Sequence, residues 1–279
     1  MTWTFTSDLA AYLAAAHLAV AARPVSDTLM LTVTDALERR GSGAYGAGAP
    51  VFGWWTGSDG AVAGGLLCTP PFPMVLGVVP AEAVRALGPA LSAEPLLAGV
   101  RAVNARRPDA EALAAAWGRT TRIAAELRLY RLAGLVAPDP APAGRSRPAT
   151  VADLPLLLDW IGAFHEEVGG HGAASEAGQR DRLSYGGSLL WEHEGEPVSL
   201  AGFSRPIAGA SRIGPVYTPP AVRGRGYAAG VTHAATRAAH AAGAAEVLLF
   251  TDLANPTSNG VYQRLGYTRV EDRAEVVPA

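Results

Sequence analysis

Lysine is absent from this chain: all 23 basic residues among its 279 are arginine. That excludes a Walker A phosphate loop, a protein kinase and a pyridoxal Schiff-base enzyme, each of which needs a lysine. Cysteine is nearly absent. The single Cys68 rules out an internal disulfide and a cysteine-cluster zinc site, and it fits a reducing cytoplasm. Charge is sparse at 17% of residues, the formal net charge is −2, and no block of like charge marks a nucleic-acid or membrane-surface partner. No long hydrophobic run is present either. The apolar stretch Leu9–Ala22 holds Tyr12 and His17 and is too short to span a bilayer. The segment before it carries Asp8 and no positive charge, so a secretory signal is not expected. His165-Glu166 and His193-Glu194 begin like a zinc-protease motif, but position +4 is Gly169 and Pro197, so no metal site is expected. A Gly-x-Ser-x-Gly nucleophile elbow is missing as well.

What remains is a chain 49% hydrophobic, long enough for roughly two domains and able to bury about three quarters of its unfolded surface. One boundary stands out. Between Val136 and Arg145 come Pro138, Pro140, Pro142 and Gly144, a spacing that forbids a helix and favours an extended connector. The expected division is residues 1–135, a linker over 136–146, and residues 147–279.

The halves echo each other. Phe52–Trp55, Asp59-Gly60 and Val62–Leu67 lead to Thr69-Pro-Pro71; Leu189–Glu192, Glu194-Gly195 and Val198–Ala201 lead, after a loop, to Thr218-Pro-Pro220. Each reads as strand, turn, strand, strand, then Pro-Pro before a helix. Helices are expected before the strands, over Ser7–Ala22 and Asp27–Arg40, and over Ala152–Val168 and about Glu176–Tyr185, with Ser7 and Thr150 as N-caps. A helix, a strand, a helix and a final strand complete each half. The chain therefore reads as two copies of one mixed-sheet α/β unit.

The informative stretch is Val216-Tyr-Thr-Pro-Pro-Ala-Val-Arg-Gly-Arg-Gly-Tyr-Ala-Ala229. Gly224 and Gly226 let the backbone turn sharply ahead of an alanine-rich helix that closes at Gly243. Free N–H groups at that helix start make an anion site suited to phosphate or pyrophosphate. Two patterns compete for it. Gly224-x-Gly226-x-x-Ala229 satisfies the loose dinucleotide fingerprint. Glu246, however, precedes the next strand rather than following it, and only one more helix and strand remain, too few for a doubly wound sheet.

Arg223-x-x-Gly226-x-Ala228 instead resembles the Arg/Gln-x-x-Gly-x-Gly/Ala signature of the GNAT superfamily of N-acetyltransferases. Asn255-x-x-Ser258-x-x-x-Tyr262 resembles the last-helix motif of that family, and Leu265-Gly-Tyr267 its ending. The strand Val247–Thr251 lies between the two, and the resemblance covers Arg147–Val277. It implies two such domains in tandem, the first lacking the loop and the second carrying the acyl-coenzyme A site. The loop Arg223, Gly224, Arg225, Gly226, Tyr227, Ala228 and Ala229 would cradle the pyrophosphate of acetyl-coenzyme A. The strand Val216, Tyr217 and Thr218 would pair with the pantetheine arm, and Asn255 would contact the cofactor. Tyr262 would protonate the departing thiolate. An amine acceptor, small molecule or peptide, would attack the thioester directly.

Each residue also has a plainer use. Asn255 precedes Pro256, a favourable first helical residue, and can simply cap that helix. Tyr262 can pack its ring, and both arginines can be solvated charges. No general base is legible; the candidates are Glu166, Glu167, Glu192, His193 and Asp252. Phe164 and Trp191 are candidates for an acceptor pocket. A coenzyme-binding module without turnover, and transfer from another acyl donor, are the rival readings.

Overall fold

The computed structural model describes residues 1–169 and 174–279. The chain divides into two compact units: Met1–Arg128 with Glu271–Ala279, and Leu129–Val270. Neither half ends where its sequence repeat ends. Strand β6 (Thr121–Leu132) begins in the first unit and finishes in the second, and the last strand, β12 (Tyr267–Pro278), does the reverse.

The first unit opens with β1 (Thr2–Thr6), α1 (Leu9–Ala21) and α2 (Thr28–Arg40), then β2 (Val51–Thr56), β3 (Val62–Cys68) and β4 (Met74–Leu76). It continues with α3 (Ala81–Ala93), β5 (Val103–Arg106) and α4 (Arg107–Ala116). Its strand order is β1-β2-β3-β4-β5-β12, antiparallel except for the parallel pair β4–β5. Strand β1 has no counterpart in the expected pattern; Trp3 and Phe5 of this strand pack on the core while Thr4 between them faces out. The cap of α1 is Asp8 rather than Ser7. The Asp8 carboxylate accepts from the Ala10 and Ala11 N–H groups, and an ionised cap also complements the positive helix start.

The second unit contains β7 (Arg145–Pro148), α5 (Leu154–Glu167), α6 (Glu176–Leu183), β8 (Ser188–His193), β9 (Glu196–Phe203) and β10 (Ala210–Tyr217). There follow α7 (Tyr227–Ala241), β11 (Glu246–Asp252) and α8 (Pro256–Arg264). The order is β6-β11-β10-β9-β8-β7, with β10–β11 parallel and β7 to β10 antiparallel. Side chains alternate between two cores, as strand periodicity requires. Leu189, Ala201, Phe203 and Ile213 join Val231, Ala235 and Ala239 of α7. Leu190, Leu200 and Tyr217 join Leu157, Trp160 and Ile161 of α5.

The mixed α/β plan of both halves is as the sequence predicts, but the two Thr-Pro-Pro triplets do not correspond. Thr69-Pro-Pro71 lies between β3 and β4, whereas Thr218-Pro-Pro220 follows β10. The counterpart of the glycine loop in the first unit is therefore the four-residue turn Gly77–Pro80 between β4 and α3. The triplets look alike because proline pairs end strands wherever they occur.

The start of the second unit is fixed by charge. Arg147 on β7 donates twice to Asp153, at 2.8 Å each, and to Glu192 of β8 at 2.6 Å. Asp153 also accepts from the Thr150 N–H and hydroxyl ahead of α5. The Arg147 guanidinium holds the Asp153 carboxyl down at about 2, below the ordinary carboxylate value. A depressed carboxyl adds stability that is present above its unfolded value and is lost as pH falls towards 2. Arg147→Met is expected to remove on the order of 1–2 kcal/mol at pH 7 and to flatten the loss of stability between pH 4 and pH 2. Thermal melts across that range check it; an unchanged acid limb in the variant would refute the role.

Candidate active site

The site begins with two strands that part. β10 and β11 pair in parallel from Ala210↔Glu246 to Ile213↔Leu249 and no further, although β10 runs on to Tyr217 and β11 to Asp252. The break follows from Gly214 and Pro215. The register of β10 against β9 shifts between Ile213 and Val216, and proline has no N–H to offer a neighbouring strand. Beyond the bulge, Val216 and Tyr217 pair with Ala201 and Leu200 of β9 on one side only. The other edge of the strand has no strand partner among the described residues. An extended ligand can add there through main-chain hydrogen bonds, as a peptide adds to a sheet edge. Tyr217 faces the α5 core against Trp160, and Val216 faces the α7 core. Thr218 closes the strand through its hydroxyl, 2.8 Å from Ser199 Oγ, which in turn donates to the Tyr217 carbonyl at 2.9 Å.

The loop follows directly. Gly224 and Gly226 have φ of +78° and +80°, a region that glycine enters without the steric cost a side chain would bring. Gly226 stands at the N-cap of α7, and no side chain caps that helix. The first N–H groups of α7 are thus left for a ligand, and with the helix dipole they favour an anion. A cleft of about 690 Å³ opens beside them, lined by Gly224, Arg225, Gly226 and Ala229 on one side and by Val261, Arg264 and Leu265 on another. The residues present fit a pyrophosphate-bearing ligand at the loop and an extended arm along β10.

The two loop arginines part company. Arg223 turns back: Nε donates to the Thr218 carbonyl at 2.8 Å, Nη2 reaches both carboxylate oxygens of Glu167 at 2.7 Å, and the guanidinium lies over the Tyr217 ring. Its side chain braces strand, loop and α5. Arg225 has no hydrogen bond or ion pair among the described residues and lines the cleft. Tyr227 is buried, with the His193 ring 5.7 Å away, and Ala228 gives α7 a small residue at its start.

Asn255 caps α8: its side-chain oxygen accepts from the Ser258 N–H at 3.0 Å. Tyr262 lies on that helix, buried, with its ring edge-on to Tyr267 at 6.3 Å. Burial pushes its phenol up to about 12. The hydroxyl has no hydrogen-bond partner among the described residues, and the phenol stays protonated across the physiological range, as a proton donor must.

Most of the base candidates are engaged elsewhere. Glu192 is held by Arg147, Glu167 by Arg223, and Asp252 caps the Ala254 N–H at 2.8 Å. His193 lies 3.9 Å from Glu194, and Glu166 is exposed at the end of α5. The Trp191 indole donates to the Ala143 carbonyl at 2.9 Å and packs on α7. Phe164 packs against the α5 core cluster. Among the described residues no group of three or more His, Cys, Asp or Glu could hold a metal ion, and no helix is long and apolar enough to cross a membrane.

The first unit offers a contrast that the sequence did not reveal. β4 and β5 also pair in parallel over only two positions, Met74↔Val103 and Val75↔Asn104. There the continuation is bridged by the buried Arg273 of β12. Nη2 donates to the carbonyls of Leu76 at 2.7 Å and Asn104 at 3.2 Å, and Nε donates to Asn104 Oδ1 at 2.7 Å. Its turn Gly77–Pro80 has neither the paired glycines nor an arginine.

Gly230, one turn into α7, is needed for packing. A Cβ there would meet Pro142 Cγ at 2.8 Å and the Trp191 ring at 3.0 Å. Alanine in a helix interior normally gains about 1 kcal/mol over glycine, whereas overpacking costs about 1–3 kcal/mol. The proline ring and the indole cannot swing aside as a flexible chain end could, so overpacking wins. Gly230→Ala is expected to lower the melting temperature; a rise would show that the contact yields.

Residues 154–267 match the model of the Acetyltransferase (GNAT) family. No curated protein matches the chain. In fold, it is similar over nearly its whole length to solved structures of low identity. A GCN5-related N-acetyltransferase from Sphaerobacter thermophilus has a TM-score of 0.64 at 17% identity, covering 98% of this chain and 94% of that one. A GNAT-family acetyltransferase from Colwellia psychrerythraea has a TM-score of 0.66 at 13% identity, covering 99% of both. A tandem GNAT protein from the clavulanic acid biosynthesis pathway has a TM-score of 0.57 at 16% identity, covering 99% of this chain and 97% of that one. The family match, the parted strands and the glycine loop agree, and residues 154–267 form a GNAT acetyltransferase domain.

Proposed function

We propose that the protein is an acetyl-coenzyme A-dependent N-acetyltransferase whose donor site lies in the second unit. The family implies acyl transfer to an amine. The observation that supports the donor most directly is the parting of β10 from β11 next to an uncapped helix start. In this reading the loop N–H groups bind the pyrophosphate and the free edge of Val216–Thr218 orients the pantetheine arm. The bound donor supplies a thioester carbonyl activated towards nucleophiles.

The chain's own residues then do little covalent work. The acceptor, a small molecule or peptide, presents a neutral amine whose nitrogen forms the new bond to the carbonyl carbon as the carbon–sulfur bond breaks. Tyr262 donates its phenolic proton to the sulfur, so no thiolate is released into an apolar site; the amine's surplus proton passes to solvent, and the Tyr262 phenolate takes one back from solvent, which restores the acid. Such a positioned acid typically contributes about 10²–10⁴-fold. The first unit takes no donor in this reading, because Arg273 spans the gap that would have to open.

Incubation with acetyl-coenzyme A and a panel of amines, followed by free thiol, tests the activity. Binding without thiol release would favour a non-catalytic module instead. Gly226→Val is expected to abolish coenzyme A binding in calorimetry, since a β-branched residue cannot hold φ near +80° without strain. Unchanged affinity in a folded variant would move the site elsewhere. Wild type should bind one coenzyme A per chain.

Tyr262→Phe is expected to lower kcat by about 10²-fold or more with little change in KM for the donor. Because burial raises the phenol to about 12, wild type should show no falling alkaline limb from this group up to about pH 10. An unchanged kcat with chemistry rate-limiting would remove Tyr262 from the mechanism; a loss of activity near the ordinary phenol value that is absent from Tyr262→Phe would show that burial does not raise this phenol.

A further inference from the structure

The proline segment between the halves reads in sequence as a spacer. In the structure residues 136–143 belong to the second unit and form a wall of its cleft. The segment is pinned at both ends. The Val136 N–H donates to the Leu265 carbonyl at 3.1 Å, at the end of α8, and the Ala143 carbonyl accepts from the Trp191 indole at 2.9 Å, beside α7. Pro142 rests on the glycine loop: its Cβ lies 3.4 Å from where a Cβ of Gly226 would stand.

Three features make this wall more than a tether. Pro138, Pro140 and Pro142 have no N–H and fixed φ, so they present rigid ring surface whose ordering on binding costs little. Two guanidiniums, Arg225 and Arg264, line the same cleft without a hydrogen bond or ion pair among the described residues. Against them the segment sets one carboxylate, Asp139, leaving the lining with one excess positive charge. Flat apolar surface beside unpaired arginines suits a ligand that joins an aromatic base to more than one phosphate.

We propose that the segment 136–143 is the wall against which the 3′-phosphorylated adenosine end of the acyl donor is held, and that Arg264, which lines the same cleft, takes its 3′-phosphate. This rests on the coenzyme A reading above. Pro142 acts as a positioning residue, by keeping the loop and the wall in register, and Arg264 sets donor specificity.

Calorimetry with coenzyme A, 3′-dephospho-coenzyme A and pantetheine, the last by competition, separates these roles without knowledge of the acceptor. Wild type should bind coenzyme A about tenfold more tightly than the dephospho form. Arg264→Gln, at an exposed position, should bring that ratio close to one. Pro142→Gly should weaken both nucleotides about five- to tenfold and change pantetheine binding by less than twofold. The proposal is overturned if a folded Pro142→Gly weakens all three ligands alike, which is the mark of a purely structural role, or weakens none. It is equally overturned if Arg264→Gln keeps the wild-type ratio, or if wild type shows no preference. Wild type that binds no coenzyme A at all overturns the donor reading itself, and this inference with it.

Discussion

The second unit depends on one interruption of its sheet. Had β10 and β11 stayed paired past Ile213, the strand ends would be closed and the glycine loop would point at a finished sheet edge. The bulge at Gly214-Pro215 detaches β10 from β11 while leaving it bonded to β9. That single change exposes backbone along one strand and directs the loop towards it. The helix behind the loop then adds its dipole at the same place. Rigid packing on both faces of the sheet keeps this opening from collapsing: Tyr217 is held against Trp160 on one side, while α7 buries Val231, Ala235 and Ala239 on the other.

Much of this was legible from the residues. The glycines at 224 and 226 announce a backbone that must turn left-handed, and the alanine-rich segment behind them announces a helix; both are local properties. The final helix was legible because Asn255-Pro256 marks its start and Gly266 its end. What the sequence hid was long-range. Prolines at 138, 140 and 142 say only that no helix forms there; whether the segment floats or docks depends on Trp191 and Gly230, about fifty and ninety residues away. Arg273 looks like one more surface charge in a strand, and only its position over Asn104 and the Leu76 carbonyl makes it structural. Thr69-Pro-Pro71 and Thr218-Pro-Pro220 mislead because local chemistry ends a strand in the same way at different points of the fold.

A fully buried guanidinium is costly unless each donor finds an acceptor. Arg273 meets that condition with two carbonyls, an amide oxygen and Glu271, while buried Asp27 accepts from the Val78 N–H at 2.9 Å and from Arg23. This polar cluster takes the place that parted backbone takes in the second unit. One strand arrangement thus has two outcomes in a single chain: a gap between parallel strands left open, and a gap closed by a side chain from elsewhere in the sequence. The closed version has a fixed interior.

The exchanged ends of β6 and β12 bear on the order in which the chain can fold during synthesis. Domains usually fold as they leave the ribosome, the first before the second. Here the residues of the second unit, 129–270, form one unbroken stretch, whereas the first unit lacks Glu271–Ala279 until all of the second has been made. The half made first is therefore the half completed last. Until then its parallel strand β5 keeps the edge that β12 will cover, with Asn104 lacking its partner, and that interval is when the nascent protein is most open to a chaperone or to wrong pairing.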